Sequence, residues 1–139
     1  MGLLKNSYSA DGASSLTITY DASENDFMFL MDSQRYGTAT GTPSGWAVLP
    51  YTHTSQNGCT NKTFYRRATS SEPTSVTLST SASNHNAQLV IFSGLDTTTA
   101  FDVTLQSRSS ASANKGIAPA IPPANTNPLI FYINLSLIP

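Results

Sequence analysis

Apolar side chains along this chain fall at every second position, or in short unbroken runs, and clusters of Gly, Pro, Asn, Asp and Ser separate them. "SLTITY", Ser15–Tyr20, places Leu16, Ile18 and Tyr20 on one face of a strand. "DFMFLMD", Asp26–Asp32, is apolar on both faces, which predicts a central strand. "GWAVLPY", Gly45–Tyr51, predicts a third strand; Pro50 has no amide hydrogen, so that end belongs at an edge or a bulge. Asn57-Gly58 in "HTSQNGC" is a tight-turn signal, and "KTFYRRAT" reads as the returning strand of a hairpin. Phe64 and Arg66 share one of its faces, Tyr65 and Arg67 the other. "SVTLST" turns Val76 and Leu78 inward, "SASNHN" reads as a polar turn, and "AQLVIFSG", Ala87–Gly94, is apolar enough for a sheet centre. "FDVTLQS" alternates again through Phe101, Val103 and Leu105, and "PLIFYINLSLI", Pro128–Ile138, closes the series.

These segments make about eight strands, and no helical periodicity is long enough to cover a sheet. The expected fold is all-β, an antiparallel two-sheet sandwich of jelly-roll or immunoglobulin-like form with no substantial helix. Residues 1–14 read as an N-terminal arm and residues 15–139 as a single β-sandwich domain. A Pro/Ser/Ala-rich loop at 109–127, "SSASANKGIAPAIPPANTN", interrupts that domain. Pro122-Pro123 favours extended backbone there, suiting either a crossover into the last strand or an arm that orders against a neighbouring subunit.

A length of 139 residues fits one domain with a core large enough to need no covalent staple. Only 11% of residues are charged, against about 25% in typical proteins, and the net charge is -1. Such a surface exerts no pull on nucleic acid, and the few basic residues are scattered. Cys59 is the one cysteine, so neither an internal disulfide nor a cysteine zinc cluster can form. No apolar run is long enough to span a membrane. The opening "MGLLKNSYSADG" lacks the apolar segment of a signal peptide and reads as an ordinary start rather than a myristoylation site.

Candidate chemistry is sparse. Asp96 and Asp102 flank "TTTAF", where Asp and Thr bond nearby amides in turns and Gly94 frees the backbone leaving a buried strand. The turn reading outweighs calcium binding, which needs denser oxygen ligands, and paired-carboxylate catalysis, which needs a cleft. His53 and His85 are expected in polar loops, without metal or metalloprotease spacing. No nucleophile elbow or phosphate-cradling loop occurs. Cys59 reads as an inert thiol, and the glycosylation-type triplets at Asn61 and Asn134 as chance. Trp46 is expected in the core, with sugar stacking as its alternative. Glu72, close after Arg66-Arg67, suggests a surface ion pair pinning a corner. No catalytic residue, cofactor or metal is expected.

The ordered segments "NDFMFLM", "TPSGWAVL", "TFYRRATSSEPTSVTLSTS" and "AQLVIFSGLDTTTAFDV" resemble a β-sandwich domain common in bacteriophage virion proteins and some bacterial surface proteins. The likeness runs from about Asn25 to Val103, and "NPLIFYINL" is similar to that domain's late apolar strand. The chain departs from the pattern at Asn25, where the family has Gly before Asp, and at Phe64, which replaces the first of two tyrosines.

The resemblance implies a structural or attachment module of a virion, assembled in the host cytoplasm, without catalysis. The first expectation is a capsid decoration, or cement, protein on the outer capsid surface, bridging subunits of the major capsid protein and clustering as a homotrimer. The second is a tail-associated or host-receptor module that binds glycan through Trp46, Tyr36, Tyr51 and His53. Neither a nucleic acid nor a membrane is an expected partner. The contact residues expected are Leu3, Leu4 and Tyr8 on the arm and Ile117, Pro119, Ile121, Pro122 and Pro123 on the loop. On this reading, deleting Met1–Gly12 weakens capsid binding and leaves the monomer's melting unchanged.

Overall fold

In a computed structural model, residues 2–12, 14–36, 40–50, 53–54 and 59–98 are described, with His53 and Thr54 as backbone only. They hold eight strands: β1 Leu3–Gly12, β2 Ser15–Thr19, β3 Phe27–Arg35, β4 Ala47–Val48, β5 His53–Thr54, β6 Cys59–Arg67, β7 Ser75–Ser79 and β8 Asn84–Ser93. The chain divides into two units, Gly2–Leu95 and Met1 with Asp96–Pro139. All eight strands lie in the first.

The large sheet runs β1-β8-β3-β6-β4, with β5 also on β6, and the small sheet is β2-β7. Every pairing is antiparallel. First strand pairs with last, second with seventh, third with sixth. That nesting is a long hairpin rolled on itself, so within the described residues the sandwich follows the jelly-roll form rather than the immunoglobulin-like one. One departure is local: β4 and β5 both join β6.

Alternation builds the core as expected. Leu16 and Ile18 from the small sheet's first strand and Tyr20 just after it, with Val76 and Leu78 from its second, meet Met28, Leu30, Phe64, Ala87, Leu89 and Ile91 of the large sheet. Leu16 lies opposite Leu78 and Ile18 opposite Val76; Thr17 and Thr77, turned outward, share a hydroxyl bond of 2.9 Å. Both runs that are apolar on two faces are interior strands, β3 between β8 and β6, and β8 between β1 and β3. Their second face buries Phe27, Phe29, Val90 and Phe92, with Tyr65 stacked 6.0 Å from Phe27.

Four expectations change. Leu3–Gly12, read as an arm, is β1, paired with β8 through a bulge at Lys5. Its polar, small side chains hid a strand because an edge needs little apolar content. The third strand shortens to Ala47–Val48 at the sheet's end, where Pro50 no longer matters to a ladder. The "SASNHN" turn ends early, since β8 begins at Asn84 and His85 is a buried strand residue, not a loop residue; His53, expected in a loop as well, lies in β5. Its alternation with Ala87, Leu89 and Ile91 was masked by asparagines on either side. The Glu72 ion pair forms with Arg66 at 2.9 Å, yet Glu72's side chain is almost buried instead of on the surface. The strands expected at 101–107 and 128–138 and the loop at 109–127 lie outside the described residues.

Candidate functional site

Among the described residues β1 bonds only to β8, so its outer edge carries unpaired backbone groups. At the start of that edge Leu3 is 61% and Leu4 62% exposed, the two most exposed large apolar side chains described. The bulge explains the local shape. Skipping Lys5 in the register swings its side chain to Asp26 at 2.8 Å and to Ser23 Oγ at 2.8 Å. Asp26 also accepts the amide of Ser23 at 2.8 Å. The hydrogen bond to Asp26 raises the Lys5 pKa. Tyr8 sits lower: half-buried against the core, its hydroxyl accepts from Asn6 Nδ2 at 2.9 Å and from the Asp21 amide at 3.2 Å. It braces the edge more than it presents itself. Ile117, Pro119, Ile121, Pro122 and Pro123 lie outside the described residues.

The aromatic patch of the second expectation does not assemble as expected. Trp46 is buried in the core, which corrects its part in that patch. Tyr36 is 58% exposed, with Arg35 Cζ 4.7 Å from its ring centre, and the side chains of Tyr51 and His53 lie outside the described residues. Asp96 accepts from the Thr98 amide at 2.7 Å and from its hydroxyl at 2.6 Å, which is the turn role expected of it. Asp102 lies outside.

Two polar clusters go beyond the sequence reading, which offered only the Glu72 ion pair of the first and nothing of the second. Glu72 gathers the Tyr20 hydroxyl at 3.0 Å, the Thr69 amide at 3.1 Å and Arg66, and burial, then the bond to Glu72, pushes the Tyr20 pKa up. In the other, His85 Nε2 lies 2.5 Å from Asp32 Oδ1, both side chains wholly buried. Gln34 Nε2 donates to Asp32 Oδ2 at 3.3 Å, and Thr80 Oγ1 donates to Gln34 Oε1. The pair joins β3 to β8 across the core face of the large sheet. Among the described residues no group of three or more His, Cys, Asp or Glu is arranged to bind a metal, and no helix is long and apolar enough to cross a membrane. Compared with known proteins, the chain matches no family model, no curated protein and no solved structure.

Proposed function

We propose that this chain is a non-enzymatic structural protein of a bacteriophage particle, a capsid decoration protein that bridges neighbouring major-capsid subunits on the outer surface. The observation that carries the contact role is the edge of β1, unpaired among the described residues, with Leu3 and Leu4 exposed at its start. An edge strand recruits a partner through main-chain bonds while alternate side chains select it. The near-neutral surface supports the same reading, because few ions have to be stripped of water on contact. The order of motifs from Asn25 to Val103 supports the virion setting. Bracing follows from area: a specific interface buries about 1,200–2,000 Å², and a trimer repeats it around each capsomer junction.

The test is binding of purified protein to undecorated, expanded capsids. The proposal expects saturation at a copy number set by the capsid lattice and greater resistance of the particles to heat. The double variant Leu3→Asp/Leu4→Asp should weaken capsid binding by about tenfold or more. Its folding stability should move by no more than roughly 0.5 kcal/mol, since both side chains are exposed. Binding to host cells or glycan without binding to capsids overturns the proposal. It would favour the receptor module, for which Tyr36 is the exposed aromatic contact among the described residues.

A further inference from the structure

Bonds at the margins of the large sheet fix the side to which each of its backbone groups turns. The Ala68 amide donates to the Asp26 carbonyl at 2.8 Å, and the Leu49 amide donates to the Thr63 carbonyl at 2.8 Å. Successive residues of a strand bond to opposite sides, so on β6 Phe64 and Arg66 bond toward β3, and Thr63 and Tyr65 toward β4. The registers carry that alternation across the sheet. Leu30 and Met28 face Phe64 and Arg66, which leaves Phe27 and Phe29 to bond β8 at Phe92 and Val90. On β8, Leu89 and Ile91 then turn to β1, where they meet Tyr8 and Asn6. Tyr8, Ala10 and Gly12 therefore direct their main-chain groups to β8. Those of Ser7, Ser9 and Asp11 point the other way, where no described strand follows.

The first of these outward amides is already taken. Ser7 donates its amide to Asn6 Oδ1 at 2.9 Å, which agrees with a place on the open edge. Asn6 Nδ2 donates in turn to the Tyr8 hydroxyl at 2.9 Å, so the Asn6 side chain is held along the strand. Just before it, the bulge at Lys5 breaks the ladder. Bulges and inward-turned charges on an edge strand keep one sheet from continuing into another, and Asn6 adds an occupied amide to them. Past Asn6 the edge is open: Ser9 and Asp11 are exposed, and Asp11 makes no ion pair among the described residues.

Granted that the β1 edge is the capsid contact, we propose that the capsid partner adds an extended strand to β1 over residues 7–11 and that Asn6 is the plug it displaces. The bulge ends the pairing at Ser7, so Leu3 and Leu4 meet the partner through side chains alone. A strand added at about 4.8 Å sets alternate side chains beside Ser7, Ser9 and Asp11 on one face and beside Tyr8 and Ala10 on the other. The exposed carboxylate of Asp11 selects a lysine or arginine on the first face. Tyr8 and Ala10, packed on the core and half-buried, select an apolar residue on the second. A second copy of this chain fits less well, because Lys5, the one cation of β1, is held at Asp26.

The experiment is amide exchange of the intact protein, read by nitrogen-15 NMR and corrected for intrinsic rates, first free and then during residence on expanded capsids followed by release. In the free protein Ser9 and Asp11 should exchange about tenfold or more faster than Tyr8 and Ala10. Ser7 should lie between them, and Asn6→Ala should bring Ser7 to the rate of Ser9. On the particle, protection at Ser7, Ser9 and Asp11 should rise about tenfold or more. With the plug removed, Asn6→Ala should tighten capsid binding about twofold to tenfold. Asp11→Asn should weaken it and make it less sensitive to salt. Capsid binding that leaves Ser9 and Asp11 unprotected overturns the added strand while the capsid reading stands. Absence of capsid binding brings down the capsid reading, and the plug is then decided in the free protein, where Ser7 exchanging as fast as Ser9 overturns it. If Asn6→Ala sediments as a dimer and binds capsids no more tightly, the edge belongs to a second copy and the capsid strand is overturned.

Discussion

Gly45 holds φ at 78°, and a Cβ built there would stand 2.6 Å from Arg66 Nη1. The positive angle alone makes any other residue costly, and the crowding falls on the side chain that pairs with Glu72. Gly45→Ala should therefore cost about 1–3 kcal/mol, read as a lower urea midpoint with unchanged slope. Leu78 is 1% exposed in the same core, and Leu78→Ala should cost about 2–5 kcal/mol through lost transfer energy and the cavity left behind. Two groups give a pH signature. Tyr20 and Lys5 both hold their protons more tightly in the folded chain than in the unfolded one, whose values are near 10.0 and 10.5. Their contribution is full below those values and is lost as pH rises past them toward the folded ones. Stability should fall above about pH 10, and Tyr20→Phe should flatten its share of that fall in urea melts run at stepped pH. Lys5 is too exposed for its share to be large.

Strand β1 is the element whose role changes most between sequence and structure. As an arm its removal would leave the rest untouched; as a strand it pairs with β8 from Leu3 to Gly12 and packs Tyr8 and Ala10 on the core. Deleting residues 1–12 should now lower stability by far more than the roughly 0.5 kcal/mol of ordinary surface changes, checked by thermal or urea unfolding. It would also open β8, with Val90 and Phe92, as a new apolar edge, so aggregation should accompany the loss. The segment was illegible for a physical reason: an edge strand of Asn, Ser, Tyr and Asp is held mainly by backbone bonds, which leave no trace in hydropathy. His85 teaches the same lesson in reverse. Its period-two link to Ala87 and Leu89 was present, but Asn84 and Asn86 look alike whether they turn the chain or face solvent from a strand.

At the scale of the whole molecule, the rolled hairpin brings the ends of Leu3–Ser93 together, since β1 and β8 pair across nearly the full unit. Most contacts that define the fold are therefore far apart in sequence. Such a topology predicts folding in milliseconds to seconds rather than microseconds, measurable by stopped-flow fluorescence of Trp46, which is buried in the core. The same closure places the exposed Leu3 and Leu4 on a rigid sheet margin, so a partner would meet a formed surface and not an arm that must order on binding.

Alternation by itself determined that this is a β protein, which side chains of β2 and β7 face inward, and that β3 and β8 are interior. Those facts follow from period two and from turn residues, both properties of a few neighbouring positions. Apart from the hairpin that Asn57-Gly58 announced and that sets β4 and β5 against β6, tertiary structure alone decided which strand pairs with which, that β1 belongs to the sheet, and that Asp32 meets His85 across a separation of 53 positions. Pairing is settled by packing and backbone bonding between distant segments, and many polar residues serve a turn, an edge or a buried bond equally well until their neighbours are in place.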